Sequence, residues 1–462
     1  MSKRLYEAID KLEVMAKEKG IDFYEMKYEI VPQDVMLEVM SYGLPTRSRH
    51  WKYGASYEYQ KISGEMGSSK VYELVLNNSP SYAFLLNTNS DIANIMVSAH
   101  VLGHSHFFKN NYLFKKTNNK MVYTAAERAA RIDSYIHKYG IEEVEQFMDF
   151  CFAIEKNIDW FKGENRDLYE DEVKKVIRCK NKLDGEYDDL LPRKKSTDQK
   201  DGPKRFPPYK EYDLLWFLMN YGSLKDWQRD VVEIIRAESF YFYPQYYTKI
   251  MNEGFASMVH ADLMVELDSI SHSEFLEYSK IHERVVQSGV DKFNINPYYL
   301  GFTILNNIRD KYDELYKKGE SDIAGQQKVY QVVEEEDDIS FLRNYLTQEL
   351  VDEMDLFAYI RYKDKNGGEI LEITSRNYAD VAEFMAKDIF NYRVPSIYIE
   401  SMGKDFLNLV HDSTDVGTLD TKHLKKVMSL FYKYFDKIID IKTIDDDGET
   451  THITFDEEGC SL

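Results

Sequence analysis

Cysteine is scarce in this chain of 462 residues. The three cysteines, Cys151, Cys179 and Cys460, are odd in number and follow no spacing pattern, which argues against a disulfide framework and a thiolate metal cage. No segment approaches the roughly 20 apolar residues that span a bilayer. The charged N-terminal segment lacks the apolar stretch of a signal peptide. We therefore expect a cytoplasmic protein without an integral membrane segment.

Basic side chains are outnumbered, with 59 Lys and Arg against 80 Asp and Glu, a formal net charge of −21. Such a chain repels phosphate backbones on average, so no nucleic-acid partner is expected. The sequence also lacks a P-loop, a G-x-G-x-x-G after a strand and a G-x-S-x-G elbow. Nucleotide-dependent and serine-hydrolase activities therefore lose their main support.

Aromatic residues are plentiful, at 14%, within a hydrophobic content of 43% that indicates a folded protein. The patterning predicts a mainly α protein with a partly β N-terminal layer and a C-terminal α+β domain. The predicted parts are an N-terminal region at 1–160, a charged linker or loop at 161–209, a helical region at 210–331 that packs on the first to form one domain, and the α+β domain at 338–462. The acidic run at 332–338 is interpreted as a hinge.

Several elements are predicted individually. Apolar residues at helical spacing predict a helix at 3–19, with Gly20 at its C-terminal end. The string VYELVL alternates like a strand, and a long helical run extends from about Pro244 to Leu267. Beyond residue 338, strand-like strings such as EILEITS and THITFDE alternate with two helical ones.

The string AHVLGHSHFFKNN contains His100 and His104 four residues apart. On a helix, residues at this spacing share one face, which is how H-E-x-x-H helices present two imidazoles to one zinc ion. The alternative is that both are buried packing residues with ordinary hydrogen bonds. Zinc, iron and manganese all suit histidine and carboxylate ligands, so the sequence predicts zinc or another divalent metal without choosing among them.

Glu253 and His260 lie seven residues apart on one face of a second predicted helix. The string N-E-G-F-A around Glu253 resembles the second helix of gluzincin metallopeptidases, so a zincin-like helical core is a further expectation. That resemblance implies His100, His104 and Glu253 as the metal ligands. A carboxylate that pairs with a neighbouring helix is the alternative for Glu253.

The position that carries the general base in gluzincins, directly after the first histidine, is Val101 here. Valine cannot accept a proton, so peptidase chemistry lacks its usual base. His260 and Tyr246 are the predicted catalytic residues, with Tyr243 and Tyr247 as further candidates for proton transfer. At 1.5 Å per residue, His260 lies about 10.5 Å along the helix axis from Glu253, too far to share its ion.

The loop PTRSRHWKYG concentrates Arg47, Arg49, His50 and Trp51. Guanidinium and aromatic groups together suit anion or sugar recognition, so these residues, with His282 of KIHERVV, are the predicted substrate-binding set. A structural loop whose arginines pair with acidic residues is the alternative. The turn Asn296-Pro297-Tyr298 is given a structural role as a helix start.

A series of strings in the order of the chain resembles the stage V sporulation protein R family, between about residues 20 and 302. These strings include DFYEMKYEIVP, GLPTRSRHWKYG, KVYELVLNNSPSYAFLLN, AHVLGHSHFFKNN, PQYYTKIMNEGFAS and NPYYLG. The resemblance implies a cytoplasmic bacterial protein that takes part in sporulation and in formation of the spore cortex.

Two functions follow as hypotheses from this resemblance and the histidine pair. The first is a gluzincin-like metal site, acting on a cell-envelope peptide or precursor. The second is a non-catalytic regulatory or scaffold protein with protein partners in sporulation or stress response. The missing base at Val101 favours the second, and the histidine pair with Glu253 favours the first.

Overall fold

The computed structural model describes residues 2–65, 73–164, 205–287, 295–363, 369–389, 394–413, 418–445 and 448–461. The chain divides into two compact units. Unit one consists of Met1–Ile141 and Tyr241–Tyr392, and unit two of Glu142–Phe240 and Arg393–Leu462. Most of the predicted linker, at 165–204, lies outside the described residues.

Helices make up most of the described chain. In chain order they are α1 (Lys3–Glu18), α2 (Gln33–Tyr42), α3 (Trp51–Glu65), α4 (Asp91–Asn110), α5 (Met121–Tyr139), α6 (Ile141–Ile154), α7 (Leu214–Tyr221), α8 (Asp226–Tyr247), α9 (Lys249–Glu266), α10 (His272–Val285), α11 (Pro297–Lys318), α12 (Gly325–Glu335), α13 (Asp338–Tyr345), α14 (Gln348–Glu353), α15 (Tyr378–Ile389) and α16 (Thr421–Phe435).

The strands form three small sheets among the described residues. They are β1 (Met26–Val31), β2 (Glu73–Leu76), β3 (Ser81–Leu86), β4 (Ala358–Lys363), β5 (Glu369–Ser375), β6 (Ser396–Met402), β7 (Phe406–Asp412), β8 (Ile438–Ile444), β9 (Thr450–Asp456) and β10 (Gly459–Ser461). Near the N-terminus the order is β1-β3-β2, with β1 parallel and β2 antiparallel to β3. Strands β4 and β5 form an antiparallel pair.

Helix α1 shows how the apolar spacing is used. Leu5, Ile9, Leu12 and Ala16 are all buried, as expected for residues that recur every three to four positions. The Ser2 hydroxyl oxygen accepts a hydrogen bond from the backbone N–H of Leu5, which caps the first turn. One face of α1 is thereby committed to the core of unit one.

Three helices at the centre of unit one approach each other closely enough to require glycine. Where α4 crosses α9, a Cβ atom on Gly103 would lie 2.7 Å from the Cα of Ala256. Where α9 crosses α11, a Cβ atom on Gly254 would lie 2.3 Å from the carbonyl carbon of Gly301. Side chains at these positions would force the backbones apart, so the crossings fix the relative positions of the three helices.

The helical run predicted from Pro244 to Leu267 is interrupted at Thr248, which separates α8 from α9. The first turn of α9 is held by Asp338, whose carboxylate oxygens accept hydrogen bonds from the backbone N–H groups of Ile250, at 2.8 Å, and Met251, at 2.9 Å. Burial raises the pKa of Asp338 to about 8, although both N–H groups favour its charged form. Asp338 therefore satisfies donors that have no partner within the helix.

Unit two contains a five-stranded sheet of order β10-β9-β8-β7-β6. Strands β7 and β8 run parallel, and α16 connects them, whereas the other neighbours are antiparallel. Helix α16 buries one face through Leu424, Met428, Phe431 and Phe435. This arrangement is a βαβ unit extended by antiparallel strands at both sides.

The predicted fold class, mainly α with a partly β N-terminal layer and a C-terminal α+β region, is confirmed. The zincin-like core and the predicted domain boundaries stay predictions. The two compact units divide the chain differently: residues 338–392 belong with unit one, and unit two combines 142–240 with 393–462. Residues 332–338, interpreted as a hinge, lie within unit one, where Val332 and Val333 are buried.

Candidate metal centre

Helix α4 places His100 and His104 on one buried face. Its N-terminus is capped by the Ser90 hydroxyl oxygen, which accepts a hydrogen bond from the backbone N–H of Ala93. The two histidine residues are 2% and 5% exposed, and their ring centroids lie 4.6 Å apart. The spacing of four residues therefore brings the two rings side by side.

Glu253, in the second turn of α9, meets both histidines. Its Oε2 atom lies 3.4 Å from Nε2 of His104 and 3.7 Å from Nε2 of His100. The Asp338 carboxylate holds the preceding turn, and the contact of Gly103 with Ala256 holds α9 against α4. The structure thus brings together the three residues that the sequence predicts as metal ligands, and their metal binding stays a prediction.

A second carboxylate, Glu73, joins this group from strand β2. Its Oε1 atom lies 3.1 Å from Nε2 of His100 and 3.8 Å from Nε2 of His104. Strand β2 is held in place by antiparallel pairing with β3, in which Glu73 lies opposite Leu85. We call Glu73, His100, His104 and Glu253 the two-His two-Glu centre.

The donor atoms of the two-His two-Glu centre suit one ion. One ligand atom from each residue lies within 4.8 Å of all the others. For bonds of about 2.0–2.2 Å, neighbouring donors of a tetrahedral zinc site lie about 3.3–3.6 Å apart. The four nitrogen–oxygen distances of the centre, from 3.1 to 3.8 Å, bracket that range.

Two of these donor atoms are buried without a hydrogen bond. They are Nε2 of His100 and Oε2 of Glu253. Buried polar atoms normally have a partner, because an unsatisfied one loses the free energy of hydration without compensation. A cation bound between them would satisfy both atoms, so the residues present fit a divalent metal ion.

The outer nitrogens of both imidazoles are held by neutral groups. Nδ1 of His104 lies 2.9 Å from the amide oxygen of Asn252, and Nδ1 of His100 lies 2.8 Å from Nδ1 of His260. An N–H at Nδ1 donates to each of these acceptors, which leaves Nε2 to bind an ion or, without one, to carry the proton that faces the carboxylates. Histidine ligands in metal sites are commonly oriented in this way.

His260 continues the chain of hydrogen-bonded imidazoles from His100 to a third histidine, His282. Its Nε2 atom lies 2.7 Å from Nδ1 of His282 on α10. Burial, together with the nearby imidazoles of His100 and His282, lowers the pKa of His260 far below its ordinary value. A neutral His260 can accept at Nδ1 and donate at Nε2, which matches the two contacts observed.

Opposite charges outweigh burial within the centre. Burial alone would favour neutral groups, but the imidazoles of His100 and His104 lower the pKa of Glu73 to about 2 and lower that of Glu253 as well. The two carboxylates in turn raise the pKa of His104 to about 10 and raise that of His100. In the absence of an ion, protonated imidazoles balance the carboxylates.

A cavity of about 410 Å³ opens beside the centre. It is lined by Met40, Glu73, Met96, Val97, His100, His260, Arg284, Val285, Asn296 and Tyr298. Glu73 is the carboxylate of the centre that faces this space. Tyr298 stacks over His100 with the ring centroids 6.1 Å apart. Burial, together with the nearby charges of Glu253 and Glu73, raises the pKa of Tyr298 well above its ordinary value, so its hydroxyl group keeps its proton.

The predicted substrate-binding loop does not line this cavity. Arg47 donates a hydrogen bond to the carbonyl oxygen of Tyr42, and its guanidinium lies over the Tyr53 ring. His50 is buried, whereas Arg49 and Trp51 are exposed. The substrate-binding role of this loop stays a prediction that the cavity does not support.

The other predicted residues are divided between the centre and the rest of unit one. His260 lines the cavity and contacts His100, and His282 reaches the centre only through His260. Tyr246 is 39% exposed and does not line the cavity. Val101 is fully buried in the hydrophobic core, so its position provides no proton acceptor at the centre.

Sequence reasoning missed Glu73, Asn252, Arg284 and Tyr298 as parts of the site. Glu73 stands 27 residues before His100, and no helical periodicity connects a strand residue to a later helix. The available signal was the strand-like string VYELVL, which has a single charged residue among apolar ones. Asn252 was visible as the residue before Glu253, but its contact with His104 depends on the helix crossing.

Comparisons with known proteins identify one matching family model and a curated relative. Residues 1–394 match the family model described as "SpoVR like protein", a span that includes all four residues of the centre. A curated relative, "Uncharacterized protein YcgB" from Escherichia coli strain K12, is 28% identical over 384 residues, covering 78% of this chain and 75% of that protein. No solved structure matches. None of the described helices is long and apolar enough to span a membrane.

Proposed function

The chain belongs to the SpoVR-like family, and from that premise we propose that it is a metal-dependent hydrolase whose ion is held by His100, His104 and Glu253, with Glu73 beside it and one position left open for water or substrate. One observation carries the proposal. Four donor atoms from a strand and two helices lie within 4.8 Å of one another, beside a cavity large enough for part of a small substrate.

A divalent ion at this centre would polarise a substrate carbonyl group and lower the pKa of a bound water molecule. The chain's own residues would orient the ligands of the ion and donate a hydrogen bond to the substrate. The contacts of Asn252 with His104 and of His260 with His100 hold both imidazoles in orientation. The hydroxyl of Tyr298, at the cavity wall, can donate a hydrogen bond to an oxygen that gains negative charge.

Glu73 is the residue that replaces the missing base. A single carboxylate oxygen, Oε1, faces the two imidazoles, so its second oxygen is left to accept a proton. Glu73 lines the cavity and therefore meets the substrate, unlike Val101, which is buried in the core. The base in this proposal comes from strand β2 and not from the helix of the histidines.

For the substrate we propose a cell-envelope peptide or precursor, and for the biological role, sporulation and formation of the spore cortex. The support is the family's description and the resemblance of the sequence strings, because the centre itself does not distinguish one carbonyl substrate from another. In a spore-forming host that lacks its own copy, wild-type protein should restore the cortex and His104→Ala should not.

Metal content is the direct test of the centre. Purified wild-type protein should contain about one divalent ion per chain by mass spectrometry, and His100→Ala with His104→Ala should remove it. His137→Ala, at an exposed histidine of α5, is the matched control and should leave the ion in place. Equal metal content in wild type and the double variant would refute the proposed centre.

Hydrolysis is tested on metal-saturated protein incubated with peptide fragments of the cell envelope, with products identified by mass spectrometry. Glu73→Gln should abolish product formation at full metal occupancy, because glutamine cannot accept the proton. Product formation at the wild-type rate by Glu73→Gln would exclude Glu73 as the base.

A regulatory or scaffold role is the second candidate, and the buried Val101 favours it, since the usual base is absent. This candidate predicts that partner proteins are captured equally by wild type and by the His100→Ala, His104→Ala variant. It also predicts no product from wild type in the hydrolysis assay. Capture that depends on the metal centre, together with product formation, would exclude it.

A further inference from the structure

Arg284 introduces a positive charge at the cavity beside the two-His two-Glu centre. It lies in the last turn of α10, is exposed, and lines the cavity. Among the described residues it has no ion-pair partner or hydrogen-bond acceptor. An arginine in contact with a cavity and without a counter-ion is suited to a ligand that brings a negative charge.

The position of Arg284 is fixed from both sides. Two residues earlier, His282 contacts His260, which ties α10 to the centre. On the other side, the Asn296 side chain donates hydrogen bonds to the carbonyl oxygens of Val285, at 2.7 Å, and Gln287, at 3.1 Å. Its amide oxygen accepts from the backbone N–H of Tyr298 at 3.0 Å. Asn296 thus joins the end of α10, where Arg284 lies, to the start of α11.

The charge balance of the cavity points to a single negative charge on the ligand. A divalent ion neutralises the carboxylates of Glu73 and Glu253, so Arg284 remains as the uncompensated charge among the lining residues. A carboxylate would balance it one to one. A phosphate dianion would add a second negative charge beside two carboxylates, where no further cation lines the cavity.

The dimensions and walls of the cavity limit the rest of the ligand. A sphere of about 410 Å³ is about 9 Å across, the scale of one or two amino-acid residues. Met40, Met96, Val97 and Val285 provide apolar parts of the cavity wall, which also includes residues of the centre and Arg284. A short apolar segment can occupy this space while its two ends meet the ion and the guanidinium.

We propose that the cavity recognises a substrate with a free carboxylate, bound by Arg284, whose carbonyl group reaches the two-His two-Glu centre across a short apolar segment. This proposal rests on the proposed function and adds its substrate class. Arg284 acts in substrate selection, so its loss weakens the binding of carboxylate ligands and leaves the binding of neutral ligands unchanged.

The test uses full-length, zinc-loaded protein and titration calorimetry. The probes are the monohydroxamates of succinic, glutaric and adipic acids, in which the hydroxamate binds zinc and the other end carries a carboxylate. Each is compared with its neutral N-methylamide. In wild type, at least one acid should bind about tenfold more tightly than its amide, as expected for one charged hydrogen-bonded contact.

Arg284→Gln should remove this preference while the amides bind as they do to wild type. Lys280→Gln is the matched control, because Lys280 is an exposed cation of the same helix that does not line the cavity. It should keep the preference. The inference would be overturned if Arg284→Gln still preferred the acid over its amide. It would also be overturned if both variants lost this preference equally, or if wild type did not show it.

Two further outcomes separate this inference from the proposed function. If the neutral amides bind zinc-loaded wild type but not His104→Ala, the proposed metal centre is supported, even if the Arg284→Gln result contradicts the role of Arg284. If no probe binds zinc-loaded protein, both the proposed metal centre and the proposed substrate class are refuted. Phosphonate analogues that bind more tightly than the carboxylates would overturn the assignment of a carboxylate.

Discussion

Replacing Asn252 with alanine tests whether the outer hydrogen bond of His104 supports metal binding. The amide oxygen of Asn252 lies 2.9 Å from Nδ1 of His104 and fixes the orientation of that ring. Removing such a partner commonly weakens metal affinity by about 10- to 100-fold. That range corresponds to about 1.4–2.7 kcal/mol of binding free energy. Asn252→Asp retains the acceptor and should bind at least as tightly as wild type.

The assay is competition for zinc with a chromogenic chelator, at a pH where wild type is folded. Asn94→Ala is the control: Asn94 is a buried asparagine of α4 that donates to the carbonyl oxygen of Leu86 and does not touch the centre. It should lose about 1 kcal/mol of unfolding free energy but no metal affinity. Wild-type affinity in Asn252→Ala, or an equal loss in Asn94→Ala, would refute the reasoning.

Three further predictions concern the surroundings of the centre. Gly103→Ala should lower the unfolding free energy in thermal melts by about 1–3 kcal/mol, because the new Cβ would lie 2.7 Å from the Cα of Ala256. The control is Gly54→Ala, in open space on α3, which should raise the unfolding free energy by up to about 1 kcal/mol. Asp338→Asn should lower it by about 1–3 kcal/mol in urea, since an amide accepts only one of the two N–H groups; unchanged stability would exclude the capping role. Zinc affinity should rise by at least about tenfold per pH unit between pH 6 and 8. The carboxylates raise the pKa of His104 to about 10 without an ion and also raise that of His100, so binding releases at least one proton. A flat profile would contradict this.

The sequence predicted the helical half of the centre but not the strand half. His100 and His104 could be found because a helix repeats locally, and Glu253 because the resemblance to a known helix pointed to it. Glu73 could not be found in this way, since β2 comes to α4 only through its pairing with β3. A contact made by sheet registry has no fixed spacing along the chain.

The fold shows the same division between local and long-range information. The helix at 3–19 and the strands beyond residue 338 were predicted because their apolar periods are local. The interruption at Thr248 was missed because the apolar pattern continues across it, while the first turn of α9 is completed by Asp338, about 90 residues further on. The substrate-binding role predicted for the loop at Arg47 stays a prediction, and the structure shows the Arg47 guanidinium engaged by neighbouring residues.

The glycine contacts of α4, α9 and α11 have a consequence for how the protein would exchange its ion. Close packing at Gly103 and Gly254 holds α4, α9 and α11 together through the core, so the free energy that assembles the centre comes from folding of unit one. Small zinc domains, in contrast, unfold when the ion is removed. We therefore expect chelation to strip the ion without changing the circular dichroism spectrum. Occupancy would then follow the supply of free metal in the cell.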